Sequence, residues 1–496
     1  MPLRSHHGCA RCKQRRQKCD EKRPSCTRCT EAAVTCEYVI TLKWDGRVPR
    51  KQEQASSRQR RARKSASTTW RICSGEGRSP PNARLLMNTS EKGLDLIKKV
   101  DAFNGLCFRD KLLLNHFITT VSMLMSHTSL RDQACQILPV ALETPSLLYA
   151  TLAFSALHLS TLVNDDYSGN GSLMCGTPAE DILASSITHL RQELNDKNTT
   201  TNTTGLLHTV KTLCLFEIYS GKYDSSWRAH LKGARALLQT RGLVPTNQLG
   251  GWLISRWYIS IEALSAVTKD ENRDEEQKKK FIYPIIDAVA THGSVLDIYA
   301  GYSSDLHLAF RDIGHLMQQY ASVRTPKYYC GDDILTEFLI HCDECIEIEY
   351  RVEKMIRRDR NGKLQIPPEI SLSPDELRMF AACNTAYQYS ALLHIRRRLH
   401  NMDSDSEQVQ QCVRGVLDTV CEVRPVSVLS PWILLTTPIF TAGCDAIDQD
   451  RDTVKTLLQE LYTVLRIRNV LRAIKILEEH WKWPYDCTDI ANFLPF

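Results

Sequence analysis

Long apolar runs are scarce in this chain of 496 residues, and none follows the opening Met-Pro-Leu-Arg-Ser-His-His. A secretory signal is therefore not expected. The uncharged run Ser146–Val163 has the length of a marginal membrane span. It carries Tyr149, Thr151, Ser155, His158, Ser160 and Thr161. These polar groups fit a buried core helix better, and no membrane partner is expected. Period-two alternation, the mark of half-buried strands, is also rare, which argues against a β architecture. A Gly-rich phosphate loop, His-Glu-x2-His and Gly-x-Ser-x-Gly are all missing, so no catalytic residues are expected and the chain does not read as an enzyme.

What is present is charge of one sign at one end. Residues 1–64 hold 18 Lys/Arg against 6 Asp/Glu, a net of +12. The other 432 residues hold 45 cations and 51 anions, a net of −6, so the overall +6 is a remainder. Such asymmetry points to a polyanion, either nucleic acid or an anionic membrane. With 43% hydrophobic residues the rest of the chain can bury a sizeable core, in two to four domains at roughly 100–200 residues each.

The texture changes twice along the chain. Residues 1–38 are dense in Cys, Lys and Arg, with almost no aliphatic side chains. Residues 39–90 read as a disordered basic linker ending in Ser-, Gly- and Pro-rich sequence. Within it Arg58, Arg60, Arg61, Arg63 and Lys64 form a nuclear-import-like segment, or an arm along a phosphate backbone. From residue 91 to 496 helical periods dominate, and one large all-α unit is expected, with two lobes as a variant. Trp227, Leu231, Ala234 and Leu238 step by four, three and four. The stripe from Val454 through Leu465 to Ile474 reads as one long helix. Arg396-Arg397-Arg398 reads as a solvated helix face, and Cys342-x2-Cys345 as ordinary helix residues lacking a second ligand pair.

Of nineteen cysteines, six lie in the first 36 residues: Cys9, Cys12, Cys19, Cys26, Cys29 and Cys36. Their spacing is Cys-x2-Cys-x6-Cys twice, joined by six residues. Thiolates are strong zinc ligands and zinc takes four in a tetrahedron. Six thiolates serve two four-coordinate zincs if two of them bridge. Six thiolates with two Zn²⁺ carry −2, which a basic surround helps to hold. A segment so poor in apolar residues needs a staple of this kind, so metal and fold should be coupled. The two halves differ in what separates their cysteines. Lys13-Gln14-Arg15-Arg16-Gln17-Lys18 carries four cations, whereas Thr30-Glu31-Ala32-Ala33-Val34-Thr35 carries none. The first half is thus equipped to face DNA, and arginine is well shaped for guanine in the major groove.

This pattern, with Lys18-Cys19-Asp20 inside it and Arg23-Pro24 in the connecting loop, resembles the fungal Zn₂Cys₆ binuclear-cluster transcription factors. The resemblance implies that Cys9 and Cys26 bridge, that Cys12 and Cys19 complete one zinc, and that Cys29 and Cys36 complete the other. It also implies that Arg15 and Arg16 read a CGG-type triplet of double-stranded DNA while Lys13 and Lys18 face phosphate. Leu147-Leu148-Tyr149-Ala150, Ser155-Ala156-Leu157-His158-Leu159 and Trp227 through Ala234 resemble the helical fungal-specific transcription factor domain that often follows such clusters. So do Pro438 through Gly443, Asp450-Arg451 and Trp481.

The expected architecture is mainly α: a small binuclear zinc cluster, a basic linker and a large all-α regulatory domain. The expected function is that of a nuclear, sequence-specific regulator of RNA polymerase II genes, which the resemblance narrows to a metabolic or biosynthetic gene set. Its helical body would answer to a coactivator or a small-molecule effector. The alternative is a chromatin-associated protein binding DNA without sequence preference. Residues 39–90 carry no sustained heptads, leaving monomeric binding and a homodimer formed through the helical body as two alternatives.

Overall fold

The structure, a computed structural model, describes parts of 9–36 together with 103–122, 130–165, 179–195, 203–221, 226–241, 251–268, 294–324, 331–367, 370–424, 431–483 and residue 493. The chain divides into two compact units, Met1–Thr89 and Ser90–Phe496. The linker 39–90, with its import-like segment, lies outside the described residues.

In the first unit the described helix is α1, Thr27–Glu31. The second unit is mainly α: α2 (Phe108–His116), α3 (Leu130–Glu143), α4 (Pro145–Asp165), α5 (Ala179–Asn195), α6 (Thr203–Ser220), α7 (Trp227–Arg241) and α8 (Gly251–Ala266). A short hairpin of β1 (Leu296–Asp297) and β2 (Tyr302–Ser303) interrupts the helices, turning through Gly301 at φ 81°. Asp297 fixes that turn by accepting the Tyr299 N–H at 3.0 Å, and pairs with Arg256 at 3.1 Å. There follow α9 (Ser304–Arg324), α10 (Gly331–Arg360), α11 (Pro374–His394), α12 (Glu407–Val420), α13 (Thr436–Asp445), α14 (Asp448–Leu465) and α15 (Arg468–Lys482).

Helix α6 is the axis of this body. Nearly every one of its residues is buried, Leu206, Leu213, Leu215 and Phe216 among them, together with the polar His208 and Lys211. It packs on α4, α7 and α8, and α15 returns to close on it. Helices α8 and α9 approach closely at Gly314, where a Cβ would collide with the Ala266 carbonyl. The uncharged run at 146–163 is the core helix α4, and among the described residues no helix is long and apolar enough to cross a membrane. Helix α11 starts with Pro374 in its first turn and a Ser373/Glu376 capping box.

Two expectations need correction. The C-terminal stripe is two helices, because Arg466 turns left-handed at φ 54° and ends α14. The turn is tied to α4: the Thr161 hydroxyl donates to the Arg466 carbonyl at 2.9 Å. Nor is Arg396-Arg397-Arg398 a solvated face. The chain widens there into a π turn, Ile395–Leu399, that sends the three arginines to different partners. Arg396 pairs with Glu349 at 2.8 Å, Arg397 with Asp445 at 2.5 Å, and Arg398 donates to the Val267 carbonyl. Cys342 and Cys345 sit on α10, the first half-buried and the second buried, and neither is in a disulfide.

Candidate metal centre and nucleic-acid interface

The described core of the first unit consists of sulphur. Cys9, Cys12, Cys19, Cys26 and Cys29 are buried, and Cys36 is half-buried against them. None of the six is in a disulfide. Their Sγ atoms fall into two tetrads, Cys9-Cys12-Cys19-Cys26 and Cys9-Cys26-Cys29-Cys36, each with its ligand atoms within 4.8 Å of one another. Cys9 and Cys26 belong to both.

The spacing fits a tetrahedral cation. A Zn–S bond of about 2.3 Å implies S···S edges of about 3.8 Å, whereas a disulfide would need about 2.05 Å. The measured separations are 3.8 Å for Cys9–Cys26, 3.7 Å for Cys9–Cys29 and 3.8 Å for Cys12–Cys26. Burial pushes the Cys9 thiol far up and Cys26 up to about 12, so buried thiolates here call for a cation to hold them. Backbone N–H groups already point at the sulphurs: Cys26 donates to Cys36 Sγ at 3.3 Å, and Cys9 to Cys19 Sγ at 3.5 Å.

Each half becomes helical within its cysteine pair, at Arg11–Cys12 in the first and from Thr27 in the second. Arg15 donates its N–H to the Arg11 carbonyl at 3.0 Å, and Gln17 to the Cys12 carbonyl at 2.9 Å. Arg15 and Lys18 are exposed, standing off the sulphur core on the half that carries the cations. Lys13 and Arg16 lie outside the described residues, as do Arg58, Arg60, Arg61, Arg63 and Lys64. In the second half, Asp20 receives the Thr27 N–H at 3.2 Å and the Thr27 hydroxyl, tying the connecting loop to the start of α1. Those bonds, the hydroxyl's first, hold its carboxyl below the usual aspartate value.

Arg11 is a further contributor that the residue pattern does not single out. Its Nη1 donates to the Arg28 carbonyl at 3.0 Å and lies 3.9 Å from Cys29 Sγ. It therefore joins the two halves and sets a cation beside an anionic cluster. The available signal was its place between Cys9 and Cys12.

Comparison with known proteins agrees with this geometry. The family described as "Fungal specific transcription factor domain" matches residues 112–484, and "Fungal Zn(2)-Cys(6) binuclear cluster domain" matches residues 7–45. The chain is 26% identical over 274 residues to "Pestheic acid cluster transcriptional regulator 3" of Pestalotiopsis fici, covering 47% of this chain and 48% of that protein. It is 39% identical over 54 residues to "Transcriptional regulatory protein pro1" of Neurospora crassa, covering 11% of this chain and 8% of that one. The matches thus span about half the length of the first relative and a small part of the second. No solved structure matches. A zinc-binding cluster that binds DNA, followed by a helical body matched over most of its length, makes this chain a member of the fungal-specific transcription factor family.

Proposed function

We propose that the chain is a nuclear, pathway-specific regulator that reads CGG-type triplets through a cluster of two zincs. Cys9 and Cys26 bridge them, Cys12 and Cys19 complete one, and Cys29 and Cys36 the other. Bound there, the zincs supply fixed tetrahedral geometry and neutralise most of the thiolate charge. The observation carrying this reading is the pair of sulphur tetrads that share Cys9 and Cys26. Arg15 and Arg16 contact bases, while Lys13 and Lys18 hold phosphate. Arg58, Arg60, Arg61, Arg63 and Lys64 serve nuclear import. The relative named for a pestheic acid cluster supports a biosynthetic gene set as the target.

The test is selection of bound sites from random double-stranded DNA by the full-length protein, with metal analysis of the same sample. A recovered triplet, its orientation and its spacing report the site and whether a homodimer binds it. Arg16→Ala is expected to lose roughly 1–3 kcal/mol of discrimination at one base position. Selection that recovers no motif, or one zinc per chain, sinks the reading and leaves a chromatin-associated protein without sequence preference.

A further inference from the structure

Within the helical body a cavity of about 210 Å³ lies among α8, α9, α11, α13 and α15. Phe310, Leu393, Phe440 and Phe493 supply its apolar wall, and an arginine pair from the π turn supplies its polar end. The two arginines are in different states. Arg397 is neutralised by Asp445, which also receives the Ser404 hydroxyl at 2.6 Å. Arg398 uses Nη1 on the Val267 carbonyl and Met317 sulphur, and has no carboxylate partner among the described residues. Its Nε and Nη2, the edge shaped for a carboxylate, have no protein acceptor among the described residues. Burial presses this guanidinium below the ordinary arginine value even though Asp445 acts against it, and since Asp445 is paired with Arg397, two guanidiniums share one carboxylate at this end of the cavity.

The two histidines in the wall differ in their hydrogen bonding and charge. Burial holds His394 well below its ordinary value, so it is neutral at pH 7. His480 donates from Nε2 to the Cys444 carbonyl at 3.0 Å, which leaves Nδ1 as a buried acceptor without a partner among the described residues. An apolar chamber whose polar end has two guanidiniums for one carboxylate, and one idle acceptor, is the composition of a ligand site. An apolar cavity of about 150 Å³ already takes benzene, so this one has room for a fused ring pair or a substituted single ring.

We propose that this cavity is an effector site for a small aromatic carboxylate, with the carboxylate on Arg398 and the rings against Phe310 and Phe440. The proposal deepens the regulatory reading of the helical body and is independent of which triplet the cluster reads. Ligand occupancy would join α8, α11 and α13 across one cavity, so it would bias how the body's helices pack.

The test is calorimetric titration of the full-length protein with 2-naphthoate and with 2-naphthamide, its uncharged isostere. Naphthoate should bind roughly tenfold or more tighter than the amide, the difference made by one charge-assisted pair. Arg398→Met should erase that preference while amide binding persists, and Arg398→Lys should restore part of it. Leu393→Trp, which fills the cavity without touching the charge, should block both probes, and it decides the matter if Arg398→Met fails to fold. No naphthoate binding up to about 1 mM, equal affinity for both probes, or binding unchanged by Leu393→Trp overturns the site. DNA binding measured on the same samples is expected to be unaffected by Leu393→Trp, so a failed effector site and a failed DNA reading are told apart.

Discussion

The two units hold themselves together by opposite means. In the first, the buried side chains of the described core are cysteines, with no aliphatic residue among them. In the second, one contiguous apolar core runs from Leu113 to Phe493 through α4, α6, α8, α11 and α15. A helical body with that core is stable through burial of apolar surface, in proportion to area. A cluster of buried thiols gains little that way and needs its metal. The first part is therefore expected to depend on zinc for its fold and the second is not.

Removing zinc is the strongest way to break this comparison. Small zinc domains draw an apparent binding free energy of about 10–16 kcal/mol from their metal, so chelation should unfold residues 9–36 outright. The helical signal of residues 103–483 should be unchanged. DNA binding should vanish in step with metal loss, while thermal unfolding of the body keeps its midpoint. A body that melts earlier after chelation would mean that the two parts are not independent in stability.

A change inside the body's core should give the next largest effect. Lys211 lies in the middle of α6, fully buried, its ammonium 5.4 Å from the centre of the Tyr299 ring and without a hydrogen-bond acceptor among the described residues. Burial brings it down to about 7. Between there and the ordinary lysine value of about 10.4, the unfolded chain binds more protons than the folded one, so this group makes stability rise with pH across that window. Below the folded value the full penalty of a buried ammonium applies. Lys211→Met should therefore stabilise the body by roughly 1–4 kcal/mol at pH 7, as when other buried charges are exchanged for apolar groups. The gain should shrink towards zero near pH 10. Urea unfolding at both pH values checks this, and an equal gain at each would remove titration as the cause.

The two units also differ in how much of them a sequence reader can see. Cysteine spacing within 28 residues is a local signal, and the sulphur tetrads bring together the six positions it marks. The helix at Trp227 is legible for a similar reason: its period sets Trp227, Leu231 and Ala234 on one buried side. Where partners lie far apart in the chain, local reading fails. Arg396 and Arg397 read as solvent-facing because charge is assigned to water by default, yet their carboxylates are 47 and 48 residues away on other helices. The stripe through α14 and α15 reads as continuous because both helices bury the same kind of residue. The break lies in one left-handed backbone at Arg466, in a residue type that gives no warning of it. Arg11 escaped notice because its acceptor is a backbone carbonyl, and carbonyls have no sequence identity.

Arg11 gives the smallest effect and the finest test of the comparison. If the metal alone held the first unit, a side chain spanning its two halves would be dispensable. The contact of Arg11 with the Arg28 carbonyl and its nearness to Cys29 Sγ argue otherwise. A hydrogen bond from a charged donor is worth about 1.5–3 kcal/mol when sheltered and less at a half-exposed position such as this one. Arg11→Ala should therefore leave zinc content intact and weaken retention by about 1 kcal/mol, roughly a fivefold rise in the rate of zinc loss to a competing chelator. Arg11→Lys should fall between, since it keeps the charge beside the sulphur and loses the planar donor. Loss rates identical in all three proteins would return the whole stability of the first unit to its metal–sulphur bonds.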